Sequence, residues 1–180
     1  MPSPTLSGFQ VRVTVGVADM AVSNNPGAIL TTYSLGSCLG ITVYDPYVRV
    51  GGLLHIMLPT SELDPIKAKS RPAMFVDSGV ALLLQEVAKM RGQKERSIVC
   101  VAGGAQFLDS KGFFNIGKRN YESFKEHIQR LGLRLHAEAV GGLVSRTVFF
   151  HLETGEVRIK VSGQTNEIVL WKNSTPILTR

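Results

Sequence analysis

Leu35-Gly36-Ser37-Cys38-Leu39-Gly40-Ile41-Thr42-Val43-Tyr44-Asp45-Pro46 is followed, after Tyr47, by Val48 to Leu58, a run containing Gly51-Gly52-Leu53-Leu54-His55-Ile56-Met57-Leu58 and stopped by Pro59. In the first run Leu39, Ile41 and Val43 alternate with other residues at the period of a strand until Asp45-Pro46 ends it. The second run resumes the same β-rich chemistry, so the two read as an antiparallel hairpin. A type I turn from Asp45 to Val48, with Pro46 preset at its second position, makes facing residue numbers sum to 93 and sets Cys38 opposite His55. Opposed Cβ atoms lie about 4.5–5.5 Å apart, within mutual reach of a thiol and an imidazole. A slip of one residue would put the two side chains on opposite faces.

Outward from the hairpin, Val11, Val13, Val15 and Val17 are spaced for one face of a strand, and Asn24-Asn25-Pro26-Gly27 is a turn leading into an extended segment over Ala28 to Thr32. On the other side, Thr60 to Met74 holds Asp64-Pro65 and Arg71-Pro72 with little periodicity and reads as a mobile surface loop. Asp77 or Ser78 is the expected cap of a helix carrying Val80, Leu83, Leu84 and Val87 on one face and closed by Gly92. Ser97 to Ala102 is a buried strand running into Gly103-Gly104. A second helix starts near Asn115 to Gly117 and aligns Tyr121, Phe124, Ile128 and Leu131. Alternation over Leu133 to Ala139, a hairpin of Arg146 to Leu152 with Glu156 to Val161, and Glu167 to Trp171 complete the pattern. With about eight or nine strands, mostly consecutive, and two helices, the class is α+β with both helices covering one sheet.

The chain's 180 residues, 44% hydrophobic and 19% charged, suit one globular domain. No apolar run approaches the roughly 18 residues of a spanning helix, so no membrane insertion is expected. The first residues lack a basic stretch followed by an apolar one, which argues against a secretory signal and for a cytoplasmic protein. The net charge of +6 is spread along the chain without a basic block or an aromatic-interleaved stripe, so nucleic acid is not an expected partner. Cys38 and Cys100 stand far apart with no ligand spacing, which speaks against a disulfide framework and a zinc site.

Cys38 follows a glycine turn and opens a strand, where backbone can approach a substrate and N–H groups of Gly36 and Ser37 could help form an oxyanion site. His55 is out of place in an apolar strand, and Cys38 could partner one ring nitrogen while a hydroxyl such as that of Thr32 partners the other. A thiol, a base and an orienting group make the general arrangement of a covalent cysteine hydrolase. Cys100, inside Ile98-Val99-Cys100-Val101-Ala102, reads as a small core hydrophobe, and His127, His136 and His151 read as structural or solvated. Neither a phosphate-binding glycine loop nor an acidic metal cluster is visible.

Asn25-Pro26-Gly27, Leu35-Gly36-Ser37-Cys38 with Asp45-Pro46, Gly52-Leu53-Leu54-His55-Ile56-Met57-Leu58-Pro59, Phe75-Val76-Asp77-Ser78-Gly79-Val80, Ala102-Gly103-Gly104-Ala105 and Asn115-Ile116-Gly117-Lys118-Arg119-Asn120 occur in an order that resembles CheD, the chemoreceptor glutamine deamidase family of chemotaxis. The resemblance implies a single-domain three-layer α/β/β sandwich, with mixed sheets and two helices on one face. Residues 1–10 are the expected disordered lead-in, 11–172 the deamidase domain and 173–180 a tail. By matching motifs it assigns the catalytic set to Cys38, His55 and Thr32, with Thr31 the adjacent alternative. It further implies a thioacyl route from glutamine to glutamate without metal or organic cofactor, and possible action on glutamyl methyl esters. The partners it implies are chemoreceptor cytoplasmic helices and a CheC-type phosphatase. Phe107, Phe113 and Phe114 are candidates for the phosphatase surface, the competing reading being a packed loop. A binding module in which catalysis is secondary or lost, and a cysteine hydrolase of other substrates, are the alternatives to a receptor deamidase.

Overall fold

The computed structural model describes residues 10–106 and 115–173. Phe107, Phe113 and Phe114, nearly all of the expected lead-in and all but residue 173 of the expected tail lie outside the described residues. Within them the chain forms β1 (Val11–Thr14), β2 (Asp19–Ser23), β3 (Ala28–Leu35), β4 (Leu39–Asp45), β5 (Val50–Ile56), α1 (Pro65–Ser70), α2 (Val76–Lys89), β6 (Ile98–Gly103), α3 (Ile116–Arg130), β7 (Leu135–Val140), β8 (Arg146–His151), β9 (Glu156–Val161) and β10 (Glu167–Trp171). The strands make two five-stranded sheets, ordered β1-β3-β8-β9-β10 and β2-β5-β4-β6-β7. Both are mixed, with β1/β3 and β6/β7 parallel and the remaining pairs antiparallel.

Two apolar layers hold this together. Leu39, Ile41, Val43, Leu54 and Ile56 of the second sheet pack against Val80, Leu83 and Val87 of α2 and Phe124 and Ile128 of α3. Its opposite face, with Tyr44, Leu53, Cys100 and Ala102, meets Leu30, Leu35, Val148, Phe150 and Ile159 of the first sheet. The order is therefore helices, central sheet, outer sheet, an α+β fold as the pattern implied. All seven residues of β4 and of β5 are buried, because that sheet is covered on both sides. No helix among the described residues is long and apolar enough to cross a membrane.

The central hairpin forms, but in another register. Gly40 pairs with His55 and Asp45 with Val50, so facing numbers sum to 95 and residues 46–49 make the loop. Asp45 causes the difference. Its buried carboxylate accepts N–H from Tyr47, from Gln93 and from the Arg96 guanidinium, which holds it at the strand end, and Arg49 takes a left-handed φ of 53° to bring the chain back. Burial alone would raise the Asp45 pKa, but the Arg96 guanidinium and these backbone donors hold it below the usual carboxylate value. The shift of two residues preserves side-chain faces, so His55 stays on the face of Gly40 and Cys38, yet Cys38 lies beyond the last paired residue instead of opposite His55.

Other local expectations are corrected as well. The strand read over Val11 to Val17 ends at Thr14, and Val17 is exposed, because residues 15–18 carry the chain from the outer sheet to the central one, where β2 adds an unanticipated edge strand. Thr60 to Met74 is not an unstructured loop but a short 3-10 turn, α1 and a second 3-10 turn, capped by Thr60 and Asp64. Neither Asp77 nor Ser78 caps α2. Asp77 accepts from the N–H and hydroxyl of Ser61, and Ser78 donates to Pro72 O, so both fasten that segment to the helix. At the other end of α2 the left-handed residue is Arg91, not Gly92.

Candidate active site

The site lies between the two sheets, where two short connections cross from one to the other. Residues 15–18 link β1 to β2, and Gly36, Ser37 and Cys38 link β3 to β4. Thr32 projects from β3 of the outer sheet and His55 from β5 of the central sheet, and both are almost completely buried. Gly40, opposite His55, keeps the space between them small: a Cβ there would meet Leu35 Cδ1 at 2.8 Å and Thr32 Cγ2 at 3.3 Å. Thr32 Oγ1 donates to Val15 O at 2.8 Å and lies 2.7 Å from His55 Nδ1. A hydroxyl has one proton, and Val15 O can only accept, so Thr32 accepts from Nδ1–H. That assigns the neutral tautomer with its lone pair on Nε2, an atom that is buried and has no hydrogen-bond partner among the described residues.

Of the two neighbouring threonines, then, Thr32 meets the imidazole. Thr31 is equally buried, and its hydroxyl has no partner among the described residues. The backbone of His55 is held too, since its carbonyl accepts from Ala18 N at 2.9 Å. Burial pushes the imidazole pKa down to about 4, because the charged form would lose its water without gaining a carboxylate in exchange. Burial also raises the Cys38 thiol above its ordinary value, with the N–H of Cys38 itself acting in the opposite direction. Both shifts favour the neutral form, of the thiol in one case and of the imidazole in the other.

Cys38 is half-buried, and the segment before it is fixed through its carbonyls. Gly36 O accepts from Ala105 N at 2.8 Å, Ser37 O from Asn120 Nδ2 at 3.0 Å and Cys38 O from Gly104 N at 2.8 Å. A trans peptide points C=O and N–H in opposite directions, so the N–H groups of Ser37 and Cys38 turn away from residues 104–105 and α3. Gly103, at a φ of 115°, lies so close that a Cβ would collide with Cys38 O. The arrangement can supply a thiol, a base with a free lone pair held by a hydroxyl, and two N–H groups beside the thiol.

Of the residues that sequence reasoning singled out, Thr32 and His55 meet in a hydrogen bond, while Gly36, Ser37 and Cys38 form the connection that enters β4 just before Gly40, the residue opposite His55. The expected hydrogen bond from Cys38 to the other ring nitrogen is not formed, since Nε2 has no partner among the described residues. Sequence reasoning missed the clamp from Gly104, Ala105 and Asn120. The signal was present in Ala102 to Ala105 and Asn115 to Asn120, motifs with no evident chemistry of their own. Cys100 belongs to the core as expected; burial drives its pKa up to about 12. His136 accepts from Val99 N at 3.1 Å, a structural use.

Residues 57–161 match the model of the family described as CheD chemotactic sensory transduction, a stretch that begins just after His55. A relative from Solibacter usitatus is 40% identical over 158 residues, covering 88% of this chain and 94% of its own length, and is named "Probable chemoreceptor glutamine deamidase CheD". One from Syntrophus aciditrophicus, named "Probable chemoreceptor glutamine deamidase CheD 1", is 46% identical over 151 residues, or 84% of this chain and 94% of its own. A relative from Pyrococcus abyssi with the same name as the first is 42% identical over 162 residues, 88% of this chain and 98% of its own.

Proposed function

Because the chain belongs to the CheD family, we propose that it is an amide hydrolase that deamidates glutamines of chemoreceptor cytoplasmic domains, with Cys38 as nucleophile, His55 as base and Thr32 as orienter. The observation that carries this reading is the Thr32–His55 hydrogen bond, which leaves Nε2 as the one ring nitrogen able to take a proton. The lone pair of Nε2 accepts the Cys38 proton as sulfur attacks the carboxamide carbon. The N–H groups of Ser37 and Cys38 receive the oxyanion. When the tetrahedral adduct collapses, the C–N bond breaks and the proton on Nε2 leaves with ammonia. Water, deprotonated by the same nitrogen, then hydrolyses the thioester to glutamate. Through both steps Thr32 holds Nδ1–H, so the ring does not turn away when it becomes charged.

A glutamyl methyl ester offers the same carbonyl with methanol as leaving group, so receptor ester hydrolysis would share the acyl-enzyme. A CheC-type phosphatase is the regulatory partner that family likeness supports.

The test follows ammonia release from a chemoreceptor cytoplasmic fragment while iodoacetamide alkylates the folded protein. Loss of turnover is expected to track modification of Cys38, with Cys100 protected by burial. With burial raising the Cys38 pKa and holding that of His55 down at about 4, the alkylation rate should keep climbing as the pH passes the ordinary thiol range, without the acid plateau of a thiolate–imidazolium pair. Full turnover after complete alkylation of Cys38 would contradict the assignment, and an acid plateau would contradict the preference for the neutral forms.

A further inference from the structure

Asn120, in the second turn of α3, is fully buried, and its side-chain amide bridges the two halves of the site. Nδ2 donates to Ser37 O at 3.0 Å and to Met57 O at 2.9 Å. Ser37 directly precedes the thiol, and Met57 follows His55 by two residues. Both acceptors are carbonyls, so only the NH₂ group can face them, and both of its protons are used. Oδ1, on the other side of the amide, is buried without a hydrogen-bond partner among the described residues. A buried helix position that leaves its own acceptor unpaired while committing both donors to two distant connecting segments is costly for a merely structural contact.

The surroundings aim this amide. Gly117, one turn earlier, packs directly on the carbonyls of Gly104 and Ala105, where any Cβ would collide, so the start of α3 sits hard against the segment that holds Gly36 O and Cys38 O. Later in the helix, Ser123 Oγ donates to Pro59 O at 2.6 Å and ties it again to the chain leaving β5. Helix α3 thus touches the nucleophile's loop and the chain leaving the base's strand at once, and Asn120 is the side chain that joins them.

We infer that Asn120 is a positioning residue for the deamidation: one amide sets the thiol loop against the imidazole strand and, through the Ser37–Cys38 peptide, turns the Cys38 N–H toward the developing oxyanion. This rests on the Cys38 and His55 assignment proposed above. Asn120 acts through Ser37 and Met57 and touches no reacting atom.

The experiment measures kcat, KM and thermal unfolding for wild type, Asn120→Ala, Asn120→Asp, Ile128→Ala and Cys38→Ala on a chemoreceptor fragment. Misplacement of reacting groups by a fraction of an ångström to an ångström costs up to about 10²-fold, so kcat of Asn120→Ala should fall on that scale with KM within about twofold. Ile128→Ala, a core truncation farther along the same helix, should lower the unfolding temperature and leave kcat unchanged. Asn120→Asp keeps the shape with at most one proton to donate, and it carries the test with the same expected loss of kcat if the alanine variant does not fold. A folded Asn120 variant with wild-type kcat, or with only KM raised, beside an inactive Cys38→Ala would overturn the inference alone. Turnover by Cys38→Ala would overturn the site and the inference with it.

Discussion

Cys38→Ala is expected to reduce ammonia release from a chemoreceptor fragment by about 10⁴-fold or more, because a covalent route without its nucleophile has no first step. The other cysteine offers no rescue: Cys100 is buried in the layer between the sheets with its pKa up at about 12. Cys38 is half-buried and follows the loop that Ala105, Asn120 and Gly104 hold through backbone carbonyls, so losing its sulfur leaves those bonds in place. The unfolding transition of the variant should therefore stay close to that of wild type, within about 1 kcal/mol. Steady-state ammonia release beside a denaturation curve reads both quantities. A folded variant within tenfold of wild-type turnover would exclude Cys38 as the nucleophile.

Thr32→Val and Thr31→Val, two isosteric changes one residue apart, are expected to behave in opposite ways. Valine at 32 removes the acceptor of His55 Nδ1–H and the donor to Val15 O, leaving two buried backbone or ring groups unsatisfied. That should cost about 2–3 kcal/mol of stability. The imidazole, no longer held in one tautomer, is then free to place its proton on Nε2, and kcat should fall about 10²–10³-fold, a loss of the kind seen when a catalytic histidine has its orienting partner removed. Valine at 31 removes a buried hydroxyl that has no partner among the described residues, so stability should be unchanged or higher by up to about 1 kcal/mol, with kcat unaltered. Urea unfolding and steady-state kinetics on the two variants decide it. Equal kinetic losses at 31 and 32 would remove the hydroxyl–imidazole bond from the mechanism.

The parts of this site that were legible in the sequence are those whose chemistry is local. His55 in an apolar strand and Cys38 after a glycine turn declare themselves by residue type, and the hairpin joining them follows from alternation and Asp45-Pro46. The pairing of the hairpin was two residues off because Asp45 binds Gln93 and Arg96, residues half a domain away that lengthen the loop. Because strand faces repeat every two residues, the error moved the pairing and left Cys38 and His55 on one face. The segment from Thr60 to Met74 escaped periodicity for a different reason. Its order comes from side-chain caps by Thr60, Asp64 and Asp77, and a helix of six residues leaves almost no amphipathic signature. Asn120 was the least legible residue of all. A polar side chain inside a helix reads as solvent-facing until the fold brings residues 37, 57 and 120 together.

The choice between Thr31 and Thr32 shows where likeness to relatives ends and geometry begins. Both are threonines in one strand, both are buried, and either could be aligned with a catalytic position. What separates them is that successive side chains of a strand point to opposite faces, so only one can meet an imidazole from the neighbouring sheet. The hydrogen bond at 2.7 Å belongs to Thr32.

Peptide-level mass spectrometry of a chemoreceptor cytoplasmic fragment, incubated with wild type and with Cys38→Ala side by side, bears most directly on the function. Discrete glutamines should gain one dalton each with wild type and none with the variant, the change expected when a carboxamide becomes a carboxylate through the Cys38 thioester. Equal gains with both proteins, or no gain with wild type that is folded and bound to the fragment, would contradict a Cys38-dependent receptor deamidase.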